Sequence, residues 1–158
     1  MQPQLDNAQI NSDLMIHRAV MMIMAVCLAA AVAVCIWRGE QWQLHWPEAR
    51  LITYRTLFYA IAIIIFPLTN LFRYIQLRLC QTMPGDKPAK QRYLTTVIVS
   101  MVLIENIGLL GVALFLFGDG YNTLYIFTGL AVLGFILYRP KPSEYLSIVD
   151  ALAQKDDG

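Results

Sequence analysis

A single acidic residue, Glu105, stands in the middle of a long apolar segment of the chain. About 11 residues separate it from either end of that segment, which corresponds to roughly 16 Å of helix. A charge at that depth in a bilayer costs at least about 2.5–3.5 kcal/mol. The sequence therefore predicts that Glu105 faces other helices and is protonated or hydrogen-bonded. Such an acid fixes helix packing or binds a partner helix, carries a proton or an ion, or contacts a lipid, a quinone or a substrate directly.

Partners for Glu105 follow from matching depths along the other apolar segments. The hydroxyls at this depth are Thr128 and Tyr59, and Thr128 is the predicted first hydrogen-bond partner because a short turn joins its segment to that of Glu105. Asn106 lies about 100° around the helix, so it need not share the face of Glu105. Gly108 is one turn further on and would let a neighbouring helix approach on the Glu105 side.

The segment 103–117 resembles the carboxylate helix of the ATP synthase proteolipid, subunit c. In that family a midmembrane acid is followed six residues later by glycine, and Glu105 and Gly111 match these positions. The resemblance implies an acid that carries a proton or a sodium ion, on a similar helix rather than in a complete rotor. The partner helix of that family is glycine-rich. Its nearest counterpart here is a stripe of small residues in the first apolar segment, Ala25, Ala29 and Ala33.

Long apolar segments must position these residues. The chain has 158 residues, of which 58% are hydrophobic and 15% charged, whereas about a quarter are charged in soluble domains. The pattern predicts an all-α polytopic membrane protein with four transmembrane helices, over 14–37, 51–72, 94–117 and 121–138. A mobile cytoplasmic tail is predicted for 1–13 and a second cytoplasmic tail for 139–158. Gly118-Asp119-Gly120 predicts a tight hairpin turn between the last two spans.

The distribution of Lys and Arg predicts the orientation. With four spans, nine of these residues lie on the side of the termini and of the basic linker 73–93, and three lie on the other side. The positive-inside rule therefore places both termini in the cytoplasm, and we expect a cell inner membrane. A cleaved signal peptide ending near Ala33 is an alternative, but Asp6 and Asp13 in the leader and the apolar run beyond the site disfavour it.

The C-terminal tail predicts a short amphipathic helix over 144–153. Its apolar face consists of Tyr145, Ile148, Val149 and Leu152, at helical spacing. Such a face lies on a membrane or docks on a protein. Because Glu144 and Asp150 replace the basic residues typical of membrane-surface helices, the sequence favours a protein partner.

Other chemistry finds little support in the sequence. The two histidines, His17 and His45, fall on opposite sides of the membrane in the predicted topology, and there is no Cys-x-x-Cys pair. The sequence thus predicts no catalytic residue, no metal, no cofactor and no nucleic-acid partner. It favours an accessory subunit or assembly factor of a larger membrane complex, in contact with lipid and with other subunits or copies of itself. The alternative is an oligomeric proton or ion translocator that uses Glu105.

Overall fold

The computed structural model describes residues 7–82 and 88–156, and it is all-helical over them. A 3₁₀ turn, Gly39–Trp42, follows the first helix. The five α-helices are α1 Asn7–Arg38, α2 Glu48–Thr82, α3 Ala89–Phe117, α4 Tyr121–Leu137 and α5 Pro142–Asp156. The predicted fold class is therefore confirmed for its helical character.

The helices extend further than the apolar segments predict. α1 begins at Asn7, so residues 7–13 of the predicted mobile tail are helical, while residues 1–6 lie outside the described residues. α2 continues to Thr82 and α3 begins at Ala89, which removes most of the predicted linker 73–93. Hydropathy identifies only the apolar part of a helix, and a helix can continue beyond that part through polar residues into water. The predicted turn within 83–87 lies outside the described residues.

Three stretches within the described residues are long and apolar enough to cross a membrane, namely Ser12–Trp42, Glu48–Thr82 and Ala89–Phe117. A fourth qualifies only if α4 and α5 are counted together, and these two helices meet at a bend of 44°. α4 alone has 17 residues. That length is about 25 Å of helix, against about 30 Å for the hydrocarbon layer.

α3 is the central helix of the bundle and packs against α1, α2 and α4. Its buried side chains include Met101, Ile104, Ile107 and Leu114. The outer faces of α1 and α2 are apolar instead of polar: Ile23 is 62% exposed and Ile63 is 70% exposed. An apolar outer surface of this kind is what a lipid environment requires.

The turn between α3 and α4 closes one end of the bundle. Gly118 has a φ of 112°, a left-handed conformation that favours glycine. The loop after α1 caps the same helix end, because the amides of Leu44 and Trp46 donate to the carbonyls of Leu116 and Phe117 at 2.8 and 3.0 Å. These bonds satisfy carbonyls that the helix terminus leaves without partners. The predicted tight hairpin is confirmed.

α5 closes the opposite end of the bundle. It packs against α2, α3 and α1, and Tyr145 and Ile148 are 4% and 0% exposed. Val149 and Leu152 are partly buried against the same core. The predicted amphipathic helix thus exists, slightly longer than 144–153, and its apolar face lies on the chain's own bundle.

Candidate functional site

Glu105 lies at the edge of the packed surface of α3. Its side chain is partly buried, and within residues 7–82 and 88–156 it makes no hydrogen bond or ion pair. At about 100° per residue, Glu105 lies roughly 60° from Gly108 and roughly 120° from Gly111 around the helix. Gly108 faces α1 and Gly111 faces α4. Around α3, the contact with α1 therefore lies between Glu105 and the contact with α4. On its other side Glu105 borders the exposed stripe of α3.

This placement explains why the predicted bond to Thr128 is not formed. Thr128 donates its hydroxyl to the carbonyl of Leu124 in its own helix, at 2.7 Å. The ring of Tyr59 packs against Phe127, with centroids 4.8 Å apart. Both side chains belong to the α2–α4 side of the bundle. The matching of depths was itself wrong: Gly111 lies against Phe127, the neighbour of Thr128, so Thr128 is about one and a half turns of α3 away from the level of Glu105.

Asn106 is exposed and next to Glu105. Its side-chain amide donates to the carbonyl of Val102 one turn earlier, at 2.8 Å. The exposed stripe of α3 otherwise carries apolar residues, including Ile98, Val102 and Leu109. Two adjacent polar side chains therefore interrupt an apolar outward surface near the middle of the helix.

The predicted packing residues divide into two groups. Gly108 and Gly111 both allow close helix contact, because a Cβ at these positions would lie 2.5 Å from Cδ1 of Leu28 and 2.5 Å from Cβ of Phe127, respectively. In α1, by contrast, Ala25 is only half-buried, and Ala29 and Ala33 are exposed. The seam of α1 uses larger residues at heptad spacing instead. These are Leu14, Met21, Leu28 and Cys35.

A polar cluster beneath α5 has no counterpart in the sequence predictions. Arg73 of α2 is 5% exposed, and its guanidinium reaches Glu144 of α5 at 2.6 Å. The same group donates to the carbonyl of Tyr138 at 2.8 Å. The hydroxyl of Tyr93 donates to the carboxylate of Glu144 at 2.9 Å and accepts from the amide of Lys141 at 2.9 Å. The cluster around the carboxylate of Glu144 thus joins α2, α3, α5 and the segment between α4 and α5.

A second group ties α1 into the same end. Asp13 accepts from the ammonium of Lys90 at 3.1 Å and from the hydroxyl of Tyr145 at 2.9 Å. His17 is fully buried, and its ring nitrogens lie 3.0 and 3.2 Å from the carbonyl oxygens of Asp13 and Lys90. Because a carbonyl oxygen only accepts, a ring nitrogen of His17 bonds to either oxygen only when it carries a proton. The rings of Tyr93 and Tyr145 enclose His17, at centroid distances of 5.0 and 6.3 Å.

An ion pair holds the opposite end. The guanidinium of Arg55 donates to Asp119 at 2.9 and 2.5 Å, and the amide of Gly120 donates to the same carboxylate at 2.8 Å. Burial opposes ionisation of Asp119, but the hydrogen bonds from Arg55 and Gly120 outweigh it, so the pKa of this carboxyl lies below its ordinary value of 3.8. The interaction fixes the α3–α4 turn against α2.

The described part of the chain holds no cluster of three or more His, Cys, Asp or Glu suited to a metal ion. Comparison with known proteins identifies no relative: no family profile, no curated protein and no solved structure matches the chain. The geometry of the chain itself therefore carries the functional argument.

Proposed function

We propose that this protein is an accessory subunit or assembly factor of a larger complex in the cell inner membrane. In this proposal it crosses the bilayer four times, with α4 as the short fourth span and both termini in the cytoplasm. The charge asymmetry of the sequence supports this orientation, with nine Lys and Arg on one side and three on the other. The apolar outer faces of α1 and α2 support insertion in lipid.

The partly buried, unpartnered side chain of Glu105 carries the proposal. Polar residues within membrane spans are rare and almost always face protein or a water-filled cavity. Here the described residues supply no partner for Glu105, and Asn106 beside it is exposed. A transmembrane helix of another subunit, with a hydrogen-bond donor or acceptor at this depth, would cover both side chains. Glu105, Asn106, Val102 and Leu109 form the contact edge in this proposal.

The position of α5 changes where the partner is expected. The sequence assigns partner binding to Tyr145, Ile148, Val149 and Leu152, but these residues pack on the chain's own helices. In this proposal α5 is an internal clasp, meaning a helix that holds α1, α2 and α3 together at one end of the bundle. The edge of α3 is then the better candidate for partner contact.

A photo-crosslinking experiment tests the contact edge. Benzoylphenylalanine placed at position 106 should form a crosslink to one defined membrane protein in native membranes, because this position faces the proposed partner. The same amino acid at position 63 of α2 is the matched control, since Ile63 is also exposed. A crosslink at both positions, or at neither, would contradict the assignment of the edge.

An oligomeric proton or ion translocator is the second candidate. The same observation favours it, because no hydrogen bond or ion pair within residues 7–82 and 88–156 fixes the protonation state of Glu105. In this case the covering helix would come from another copy of the chain, and Glu105 would have to release its proton during the cycle. Ion flux in proteoliposomes distinguishes the two candidates, since only a translocator would lose flux on Glu105→Gln.

A further inference from the structure

A groove runs along the outer surface between α1 and α4. Met21 and Ala25 line it from α1, Val132, Phe135 and Ile136 line it from α4, and Arg139 lines it from the segment that follows α4. Its volume is about 320 Å3. Every lining side chain except Arg139 is apolar. The groove is therefore apolar along its length and charged at one end.

A second arginine lies at the charged end. Arg18 precedes Ala25 by seven residues, which places the two within about 20° of each other around α1. Arg18 and Arg139 are both exposed, and their side chains make no hydrogen bond or ion pair within the described residues. The carboxylates of Asp13 and Glu144, which belong to this end of the bundle, are held by Lys90 and Arg73 instead.

The charge and shape of the groove select its ligand. An unbranched hydrocarbon chain fits an apolar channel between two helices, and a phosphate attracts two guanidinium groups by charge and by hydrogen bonds. Basic sites between transmembrane helices at the membrane surface are suited to anionic headgroups. Because the groove joins the start of the first span to the end of α4, both arginines lie at the same membrane face.

We propose that this groove is a binding site for an anionic phospholipid. The phosphate sits between Arg18 and Arg139, and one acyl chain lies along Met21, Ala25, Val132, Phe135 and Ile136. The lipid then acts as a bridge between α1 and α4, which contact each other less extensively than either of them contacts α3. This site lies on the opposite side of α1 from Glu105, so it is independent of the proposed partner edge.

Native mass spectrometry of the purified full chain tests the site. The protein is incubated with an equimolar mixture of dioleoylphosphatidylglycerol and dioleoylphosphatidylcholine, and the retained lipid is counted. The wild-type protein should retain phosphatidylglycerol preferentially. Each of Arg18→Gln and Arg139→Gln should reduce that preference about fivefold, as expected for loss of one basic side chain near an anionic surface. Ala25→Phe, which fills the groove, should reduce retention of the lipid without removing a charge.

Arg78→Gln is the matched control. Arg78 is an exposed arginine of α2, away from the groove, and its guanidinium lies 5.7 Å from the ring centroid of Tyr74. This variant should retain lipid like the wild type. Equal retention of both lipids by the wild type, or an equal loss in Arg78→Gln, would overturn the proposal. Complete displacement of the lipid by millimolar inorganic phosphate would do so too, because it would show an anion site without an acyl groove.

Discussion

Arg73 of α2 binds Glu144 of α5 across a separation of 71 residues in the sequence, with its Nη2 atom 2.6 Å from Oε2 of the carboxylate. The Arg73 side chain is 6% exposed and that of Glu144 is 18% exposed. Removing one partner of a buried ion pair is costly, because it leaves the other charge uncompensated. We therefore expect the pair to help hold α5 on the bundle, together with the buried side chains of Tyr145 and Ile148.

Glu144→Gln should loosen α5. Arg73 keeps its bonds to the carbonyls of Tyr138 and Arg139, so we expect a loss of about 1–3 kcal/mol, below the full cost of an unpaired buried charge. Hydrogen exchange should increase in α5 before it increases in α3. Asp150→Asn, an exposed acid on the same helix, is the control. If α5 exchanges equally slowly in both variants, the clasp does not depend on this pair.

The close contact of α3 and α4 predicts a sharp difference between two glycines. A Cβ at Gly111 would meet Cβ of Phe127 at 2.5 Å, next to the backbone, whereas a Cβ at Gly129 would meet nothing within 4 Å. Gly111→Ala should therefore force the helices apart and destabilise the protein by about 1–3 kcal/mol. Gly129→Ala should be neutral or slightly stabilising, because alanine favours helix. Thermal unfolding of both variants in the same detergent checks this, and equal midpoints would contradict the packing.

The Arg55–Asp119 pair predicts a dependence of stability on pH. The pKa of Asp119 is lowered in the folded protein, so its contribution is present above its ordinary value of 3.8 and is lost as pH falls through the folded pKa. At pH 7, Asp119→Asn should lower the unfolding free energy by about 1–3 kcal/mol. The difference from the wild type should shrink below pH 4. A difference that stays constant down to pH 3 would show that the charge of Asp119 contributes nothing.

Reporter fusions test the proposed topology. Reporters active in the cytoplasm should be active after Gly158 and within 84–90, because the nine-to-three charge asymmetry predicts that both lie on the inner side. A reporter inserted after Gln43, in the loop that caps α3, should give the opposite readout. Periplasmic activity after Gly158 combined with cytoplasmic activity within 84–90 would show that α4 does not cross.

The sequence predicts the helices well and their neighbours poorly. Hydropathy locates the cores of α1 to α4, and the Gly118-Asp119-Gly120 turn predicts the α3–α4 hairpin, because both signals are local. The apolar periodicity of α5 identifies its buried face correctly. It cannot identify what covers that face, and the chain itself covers it with α1, α2 and α3.

The direction of Glu105 and the cluster at Arg73 and His17 are missed for a different reason. α3 is apolar nearly all round because three helices pack on it, so its sequence has no contrast that shows which side faces which neighbour. Arg73 reads as a topology determinant and His17 as part of the first apolar run. Their partners are remote in the sequence: the ring of His17 meets the carbonyl of Lys90, 73 residues away. Only the folded chain brings these groups together.

Glu105 is the central residue of the proposed contact edge, and two substitutions separate its possible roles. Glu105→Gln keeps the shape and hydrogen bonding of a neutral acid but cannot release a proton, whereas Glu105→Leu removes both properties. If the acid binds a partner helix, Gln should preserve the complex and its activity. Leu should weaken the complex modestly, since hydrogen bonds between membrane helices average about 0.6 kcal/mol.

The most direct measurement is therefore co-purification of partner proteins from native membranes with tagged wild-type, Glu105→Gln and Glu105→Leu chains, quantified by mass spectrometry alongside the activity of the complex. We expect one set of membrane proteins to be recovered with the wild type and with Gln, and to be reduced with Leu. A Gln variant that assembles fully but is inactive would contradict the proposed function as an accessory subunit and would assign Glu105 to proton or ion transfer.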